Sequence, residues 1–444
     1  MNAYDVIVIG SGQGGSPFAV KQAKAGKRVV LFERHALGGT CVNTGCTPSK
    51  AFLASAHRAG RARLGAALHV HADVRVDFPA VMERVRGLVA EWSGGVAKKL
   101  GDAKVDVVMH EASFSNATTV VAGGASYTAP IIVIDTGGRP IVPPIDGLAG
   151  TPYLTNENFF DQTAMPKRLA VIGGGYIGLE LGQGMARCGS AVHIIDNSPR
   201  LLAREEVEVS AVLEKALLAD GMTIRHNATV ERVAHDGSVF TIFFADGTTH
   251  EAEALLVATG RKPSVPSGAP FRLKENGTVD IDDRFATNVP GIYAIGDVAG
   301  QPQFTHVSWE DFRRLDAILA GEARTRNDRV LAYAIFTDPQ VGRVGMTLEA
   351  AKTAGHDAIA VTLQLEDDAR ANEWAETDGF YRMVIDKKTD AILGATLVGY
   401  ETGELVHVIL AHMEARSTWR ILERSVHIHP TYAEALPTLA RQLL

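Results

Sequence analysis

The sequence predicts an α/β fold in which a strand, glycine turn, helix and second strand occur twice, with the second copy inserted in the first. Three observations carry this. "VIVIGSGQGGSPFAVKQAKAGKRVVLFE" (Val6 to Glu33) realigns with "LAVIGGGYIGLELGQGMARCGSAVHIID" (Leu169 to Asp196). A shorter pair, "IVIDTGGRP" (Ile132 to Pro140) and "LLVATGRKP" (Leu255 to Pro263), follows downstream, one after each copy. Finally, 444 residues are too many for one hydrophobic core and suggest two to four domains.

In the first copy, Gly10, Gly12 and Gly15 separate a run of aliphatic and β-branched residues from a helical stretch, and Glu33 ends the next strand. In the second copy, Gly173, Gly175 and Gly178 fall on those three glycines, Gly189 falls on Gly26, and Asp196 falls on Glu33. This is the physical logic of a dinucleotide site. The first glycine permits a tight turn, the second lets the backbone approach a pyrophosphate, and the third lets helix pack on strand. The helix start offers free N–H groups to the phosphates, and the acid accepts from ribose hydroxyls. A single such turn is a common packing device, whereas two in register argue for two bound nucleotides. The shorter repeat, each copy a strand ending in Thr-Gly, marks where the chain leaves its sheets. Between its two copies, residues from about 149 to 260 form an inserted unit. Pro143, Pro144, Pro263 and Pro266 suit the crossover linkers at its ends.

"GGTCVNTGCTPSK" (Gly38 to Lys50) holds two of the three cysteines, Cys41 and Cys46. Three cysteines cannot build a structural disulfide framework. A C-x4-C spacing is uncommon for zinc, and a second pair of ligands is missing. Redox chemistry is therefore the leading reading of the pair and metal binding the lesser one. Cys188, alone in the second helical stretch, reads as an inert packed thiol.

Bulk properties exclude other classes. Hydrophobic residues make up 46% and charged residues 21%, as in a soluble globular protein, and the net charge of −7 offers no field to nucleic acid or an anionic membrane. No apolar run nears the roughly 18 residues of a membrane span. "MNAYDVIVIGSG" enters a strand-like run without a basic leader, so a cytoplasmic location is the expectation.

With "GGTCVNTGCTPSK", "VIGGGYIGLELG", "LLVATGRKP", "TNVPGIYAIGDVAG", "FTDPQVGRVGMT" and "HIHPTYAEAL" following the first glycine turn in order, the chain resembles the class I FAD-dependent pyridine nucleotide–disulfide oxidoreductases over nearly its whole length. These include dihydrolipoamide dehydrogenase, glutathione reductase, mercuric reductase and a bacterial flavoprotein group tied to reactive-chlorine resistance and copper reduction. The resemblance implies two Rossmann-like domains and a C-terminal α+β dimerisation domain. The FAD domain would comprise residues 1–148 and 262–330, the NAD(P) domain 149–261, and the interface domain 331–444.

It also implies site roles. FAD would be held by Gly10, Gly12, Gly15, Glu33, Thr40, Lys50, Gly137 and Asp297, although Asp297 alone is equally a turn or cap residue. NAD(P) would be held by Gly173, Gly175, Tyr176, Gly178, Asp196 and Gly260, with Tyr176 either covering the nicotinamide pocket or simply packing in the turn. Cys46 would be the flavin-proximal thiol and Cys41 the thiol that attacks the acceptor. Both would sit at a helix start whose dipole favours thiolate. Lys50 would pair with Glu180 beside the flavin. His429 would be the base and Glu434 its orienting partner, both supplied by the other subunit of a homodimer. His427 reads as structural, with a metal role as the lesser alternative.

Asp196 favours NADH by repelling a 2′-phosphate, while Arg200 and Arg204 nearby keep NADPH in play. The acceptor would be a small-molecule disulfide or a soft metal ion. Mercuric reduction is disfavoured because the chain ends "TLARQLL" without a cysteine tail and keeps His429. A dihydrolipoamide dehydrogenase is the runner-up, with Thr44 and Thr47 departing from its usual aliphatic residues. A nonenzymatic FAD-binding sensor is the reading from another class. "QPQFTHVSWEDFRRL" (Gln301 to Leu315) looks nearest the reactive-chlorine and copper group.

Overall fold

The computed structural model describes residues 2–444. The first glycine turn joins β1 (Val6–Ile9) to α1 (Gly15–Lys24), which returns to β2 (Val29–Phe32). Both strands are buried throughout, as continuous aliphatic runs in a parallel sheet should be. The chain then forms α2 (Gly39–Asn43), α3 (Cys46–Leu64) and α4 (Phe78–Asp102) before β3 (Asp106–Val108). An antiparallel meander over residues 113–128 leads to β4 (Ile131–Ile134). All pairings among these strands are parallel, in the order β4-β1-β2-β3.

From β4 the chain passes through β5 (Gly138–Pro140) to a second sheet. There β6 (Arg168–Ile172) runs into α5 (Tyr176–Cys188) and back to β7 (Ala191–Ile195). With β8 (Thr223–Arg225) and β9 (Ala254–Val257) the order is β9-β6-β7-β8, again all parallel. Strand for strand this is the topology of the first sheet, as the repeat predicts. The turns match in detail: Gly10 has φ +103° and Gly173 φ +115°, a region that L side chains rarely adopt.

The chain leaves β9 through β10 (Arg261–Pro263), which pairs antiparallel with β5. The two Thr-Gly exits therefore meet each other, and Pro263 lies within that ladder opposite Gly138. Strand β11 (Ile292–Ala294) then adds to β4 as the fifth strand of the first sheet, and α6 (Thr305–Leu319) follows.

The C-terminal region is a five-stranded antiparallel sheet covered by helices, with Tyr381 and Leu397 at the centre of its own core. The stretch "HVILAHMEARSTWRILERSV", readable as one amphipathic helix, is broken into Thr402–Glu414 and Trp419–Arg424.

A buried ionic network ties the parts together. Arg187 of α5 bonds Asp220 at 2.8 Å and Asp338 at 2.5 Å, and Arg61 of α3 bonds Asp338 at 2.8 Å and Glu376 at 3.1 Å. No helix among the described residues is long and apolar enough to cross a membrane.

Candidate active site

Cys46 is the first residue of the 19-residue α3, where unpaired N–H groups and the helix dipole favour an anion. The expectation that both cysteines start one helix is corrected: Cys41 lies within the separate five-residue α2. Gly45 sits between the two helices so tightly that a Cβ on it would lie 2.8 Å from the Thr40 carbonyl oxygen. A side chain at this position would push α2 and α3 apart. The α2 segment in turn presses on the first glycine turn, since a Cβ on Gly39 would lie 2.8 Å from the Gly12 Cα.

The pair divides one charge unequally. The Cys46 thiol is lowered to about 6, first by its hydrogen bond with Cys41, then by Thr305 and the Lys50 ammonium, against the effect of burial. Cys41 is raised above the ordinary thiol range, chiefly because it donates to Cys46 and then because it is buried. The Thr305 hydroxyl at the start of α6 lies 3.1 Å from the Cys46 sulfur. Cys188 is buried and its thiol pushed up to about 11 by that burial.

One helical turn beyond Cys46, Lys50 bonds the buried Glu180 of α5 at 2.7 Å. The other Glu180 oxygen accepts the Phe336 N–H at 2.9 Å, and the Phe336 ring lies 4.3 Å beneath the Lys50 ammonium. Glu180 thus has a partner for each oxygen, which a buried carboxylate requires. Tyr176, first residue of α5, has its ring 6.1 Å from Phe304, and Phe304 stacks on Tyr333 at 5.0 Å. Burial pushes the Tyr176 hydroxyl up to about 12.

The acids after the two turns behave alike. Glu33 accepts from Ser11 N–H at 3.0 Å and the Ser11 hydroxyl at 2.7 Å; Asp196 accepts from Gly174 N–H at 2.7 Å and Ser198 N–H at 2.8 Å. Arg200 is turned onto its own loop, bonding the carbonyls of Leu202 and Ala203 and the Ser210 hydroxyl, while Arg204 is exposed. A Cβ on Gly175 would meet nothing within 4 Å, so open space fronts the second turn. The same holds at Gly137, and a Cβ on Gly260 would meet only the Ile141 side chain, at 3.7 Å.

Asp297 lies in a short 3-10 turn after β11, and burial raises its carboxyl above the usual range against the pull of Arg261, 3.8 Å away. Arg261 also bonds the Gly138 carbonyl at 2.5 Å and the Thr40 hydroxyl at 3.4 Å. Beside Gly137, the buried Thr136 hydroxyl has no partner among the described residues.

His429 is exposed, and its Nδ1 faces both Glu434 oxygens at 3.1 and 3.0 Å. No hydrogen bond or ion pair among the described residues joins it to Cys41 or Cys46. Among the described residues His427 hydrogen-bonds only to Ser425, with its Nδ1 3.3 Å from that hydroxyl. No group of three His, Cys, Asp or Glu residues is placed to hold a metal ion among the described residues.

Thr305, Phe336 and Arg261 belong to the site without having been singled out from the sequence. Arg261 lies inside "LLVATGRKP" and was within reach of motif reading; the other two gave no local signal.

Comparison with known proteins shows the family. A family model described as pyridine nucleotide-disulphide oxidoreductase matches residues 4–311, and its dimerisation domain matches residues 331–440. The probable pyridine nucleotide-disulfide oxidoreductase RclA of Escherichia coli is 31% identical over 99% of both chains. A mercuric reductase of Lysinibacillus sphaericus is 34% identical over 98% of this chain and 82% of its own. A dihydrolipoyl dehydrogenase of Geobacillus stearothermophilus is 31% identical over 97% and 94%. A solved Cu(II) complex of the HOCl-induced flavoprotein disulfide reductase RclA from Escherichia coli superposes with a TM-score of 0.90 over all of both chains, at 31% identity. The chain belongs to the pyridine nucleotide-disulphide oxidoreductase family, enzymes that use FAD and NAD(P)H; the redox-active disulfide falls on Cys41 and Cys46, and the dimerisation domain implies a homodimer.

Proposed function

We propose that this family member is a cytoplasmic NADH-dependent flavoprotein reductase whose acceptor is a small-molecule disulfide or a thiol-bound soft metal ion. The observation that carries it is the unequal thiol pair, with Cys46 placed at a helix N-terminus between Thr305 and Lys50 and Cys41 keeping its proton.

The residues present fit FAD. The Thr136 hydroxyl, buried and unpartnered, lies beside the open space at Gly137. The turn at Gly10, Gly12 and Gly15, with Glu33, would hold the adenosine end; Thr40, Lys50, Gly137 and Asp297 would hold the flavin end. FAD, when bound, accepts the hydride of NAD(P)H and passes the electron pair to the disulfide. Gly173, Gly175, Gly178, Asp196 and Gly260 would hold the nucleotide, with Tyr176 as the movable cover over its nicotinamide. Asp196 with both oxygens engaged, and Arg200 committed to its own loop, support NADH over NADPH; Arg204, exposed beside them, is the residue to test for contact with a 2′-phosphate.

The protein groups then have separate tasks. Opening the disulfide takes two electrons and one proton and leaves a Cys46 thiolate and a Cys41 thiol. Lys50, held by Glu180, and the Thr305 hydroxyl keep the charge on Cys46. Cys41 therefore needs a base, and His429 of the second subunit, oriented by Glu434, takes its proton. The Cys41 sulfur attacks one sulfur of the acceptor disulfide, and His429 returns the proton to the departing thiolate. Cys46 then attacks Cys41, expelling the second thiolate, which takes a proton from solvent, and closing the pair. The balance is NADH, a proton and a disulfide giving NAD⁺ and two thiols. That His429 and Glu434 pair with each other but not with the cysteines of their own chain supports a site shared across the dimer. The Cu(II) complex of the Escherichia coli relative supports testing soft metal ions as the second acceptor class.

The test is an anaerobic titration of purified protein with NADH. A long-wavelength absorption band should grow in with the first two electrons and be absent from Cys46→Ser. Bleaching of the flavin without that band in the native protein would refute the thiol relay.

A further inference from the structure

Asp135 is a buried acid with no task in the relay. It follows directly on β4 in "IVIDTGGRP", is 5% exposed, and has no lysine, arginine or histidine within ion-pair distance among the described residues. Its position lies directly beneath the first glycine turn. One carboxyl oxygen accepts the N–H groups of Gly14 at 3.1 Å and Gly15 at 2.6 Å, and the Ser308 hydroxyl of α6 lies 3.1 Å from the other. A Cβ on Gly12 would sit 2.7 Å from the first oxygen, and one on Gly296 would sit 2.8 Å from the second.

The second turn of the same chain supplies the control. Gly10 approaches the Asp135 carbonyl as Gly173 approaches the Ala258 carbonyl, a built Cβ lying 2.2 and 2.4 Å away. Gly15 faces the Asp135 Cβ at 3.3 Å and Gly178 the Ala258 Cβ at 3.4 Å. The two backbones are equivalent, and only the first places a carboxyl in that position. The acid is therefore no requirement of the turn.

The charge balance around it is unfavourable to an anion. Asp297, on the 3-10 turn packed above, adds a like charge. Asp311 of α6 holds Gly296 N–H at 2.9 Å and is neutralised by Arg329 at 2.6 Å. Glu33, at the end of β2, is occupied by Ser11. Burial pushes the Asp135 carboxyl up to about 7, against the two amides and Ser308. The amides of Gly14 and Gly15 belong to the helix start that an anionic pyrophosphate would occupy from above. Two anions on one helix end repel, and the buried one is the one free to take a proton. As a neutral acid, Asp135 donates to the Ser308 hydroxyl while still accepting both amides.

We propose that Asp135 is a positioning residue for FAD that supports the pyrophosphate turn in its neutral form, so that FAD binding takes up a proton and weakens above neutral pH. This rests on FAD occupying the first turn.

The experiment dilutes the oxidised holoenzyme, whose paired cysteines cannot titrate, to nanomolar concentration between pH 6 and 9. Released FAD is read by its fluorescence against free FAD at the same pH. The native protein should show a dissociation constant rising by up to about tenfold per pH unit above pH 7. Asp135→Asn, which keeps the shape and hydrogen bonding of the neutral acid, should hold FAD with no such slope. A flat native profile, or a slope retained in Asp135→Asn, overturns the proposal. If Asp135→Asn does not fold, calorimetry of FAD binding to native protein at pH 8 in two buffers of different ionisation enthalpy decides it. Uptake of one proton is expected, and none overturns it. Purified protein without flavin at any pH would instead sink the FAD reading beneath it.

Discussion

Thr305→Val isolates one contact on the Cys46 thiolate while keeping side-chain volume. The hydroxyl lies 3.1 Å from the sulfur. A hydrogen bond to a charged group contributes about 1.5–3 kcal/mol, and about 1.36 kcal/mol corresponds to one pKa unit. The diffuse charge of sulfur argues for the lower end, so the midpoint should rise by roughly one unit from the native value of about 6. At pH 7 the thiolate fraction would then fall from about nine-tenths to about half. The assay is the rate of iodoacetamide alkylation of Cys46 between pH 5 and 9, with FAD bound and Cys41→Ser in both proteins, so that a hydroxyl still donates where the Cys41 thiol did. The sign follows from the lowered pKa: the thiolate, and with it the alkylation rate, is at its maximum above the midpoint and is lost as pH falls through it. A midpoint unchanged by Thr305→Val would refute the role of this hydroxyl and leave Lys50 and the helix dipole as the stabilisers.

Two other substitutions separate the halves of the reaction. His429→Ala should lower kcat/KM for a disulfide acceptor by about 10²–10⁴-fold while NADH still bleaches the flavin at the native rate in stopped flow. Hybrid dimers that combine His429→Ala with Cys46→Ser subunits should regain activity, because each hybrid has one complete shared site. Asp196→Ala should cut the preference for NADH over NADPH by roughly ten- to hundredfold in kcat/KM, the size of one lost hydrogen bond to a charged group, about 1.5–3 kcal/mol. An unchanged ratio would show that the loop at Arg200 and Arg204 sets the choice.

What was legible in the sequence was local in the chain. The two turns with Glu33 and Asp196, the thiol pair, and His429 with Glu434 are each written within about 25 residues, and the internal repeat supplied its own check. What was missed is held by packing between segments far apart. Thr305 reaches Cys46 across 259 residues, and Phe336 reaches Glu180 across 156. Neither residue type signals such a contact. Cys41 was placed with Cys46 at a helix start by the family resemblance, and no local signal marked the break between α2 and α3; that break at Gly45 depends on its contact with Thr40. Asp135 stood in plain view opposite Ala258 in the repeat, yet its meaning required knowing that Gly14, Gly15 and Ser308 converge on it.

The relay also depends on a contact with no chemistry of its own. Helix α3 carries Cys46 and Lys50, α5 carries Tyr176 and Glu180, and the two can exchange an ion pair only if their axes come close. Gly184 permits this: a Cβ there would lie 2.4 Å from a Phe52 ring carbon and 3.2 Å from the Leu53 side chain. Phe52 cannot retreat, because it is fully buried with its ring 5.7 Å from Phe159 and 6.5 Å from Phe78. In an exposed helix, Gly→Ala stabilises by about 1 kcal/mol. Here overpacking costs about 1–3 kcal/mol and exceeds that gain. Gly184→Ala should therefore lower stability in urea, and by moving α3 off α5 it should lengthen the Lys50–Glu180 contact and, because Lys50 travels with Cys46 on α3 while the Glu180 charge recedes, lower the Cys46 midpoint. A variant as stable as native or more so, with an unaltered midpoint, would mean that α3 is free to shift. The ion pair, rather than the packing beneath it, would then be what holds the thiol side of the site in register with the nucleotide side.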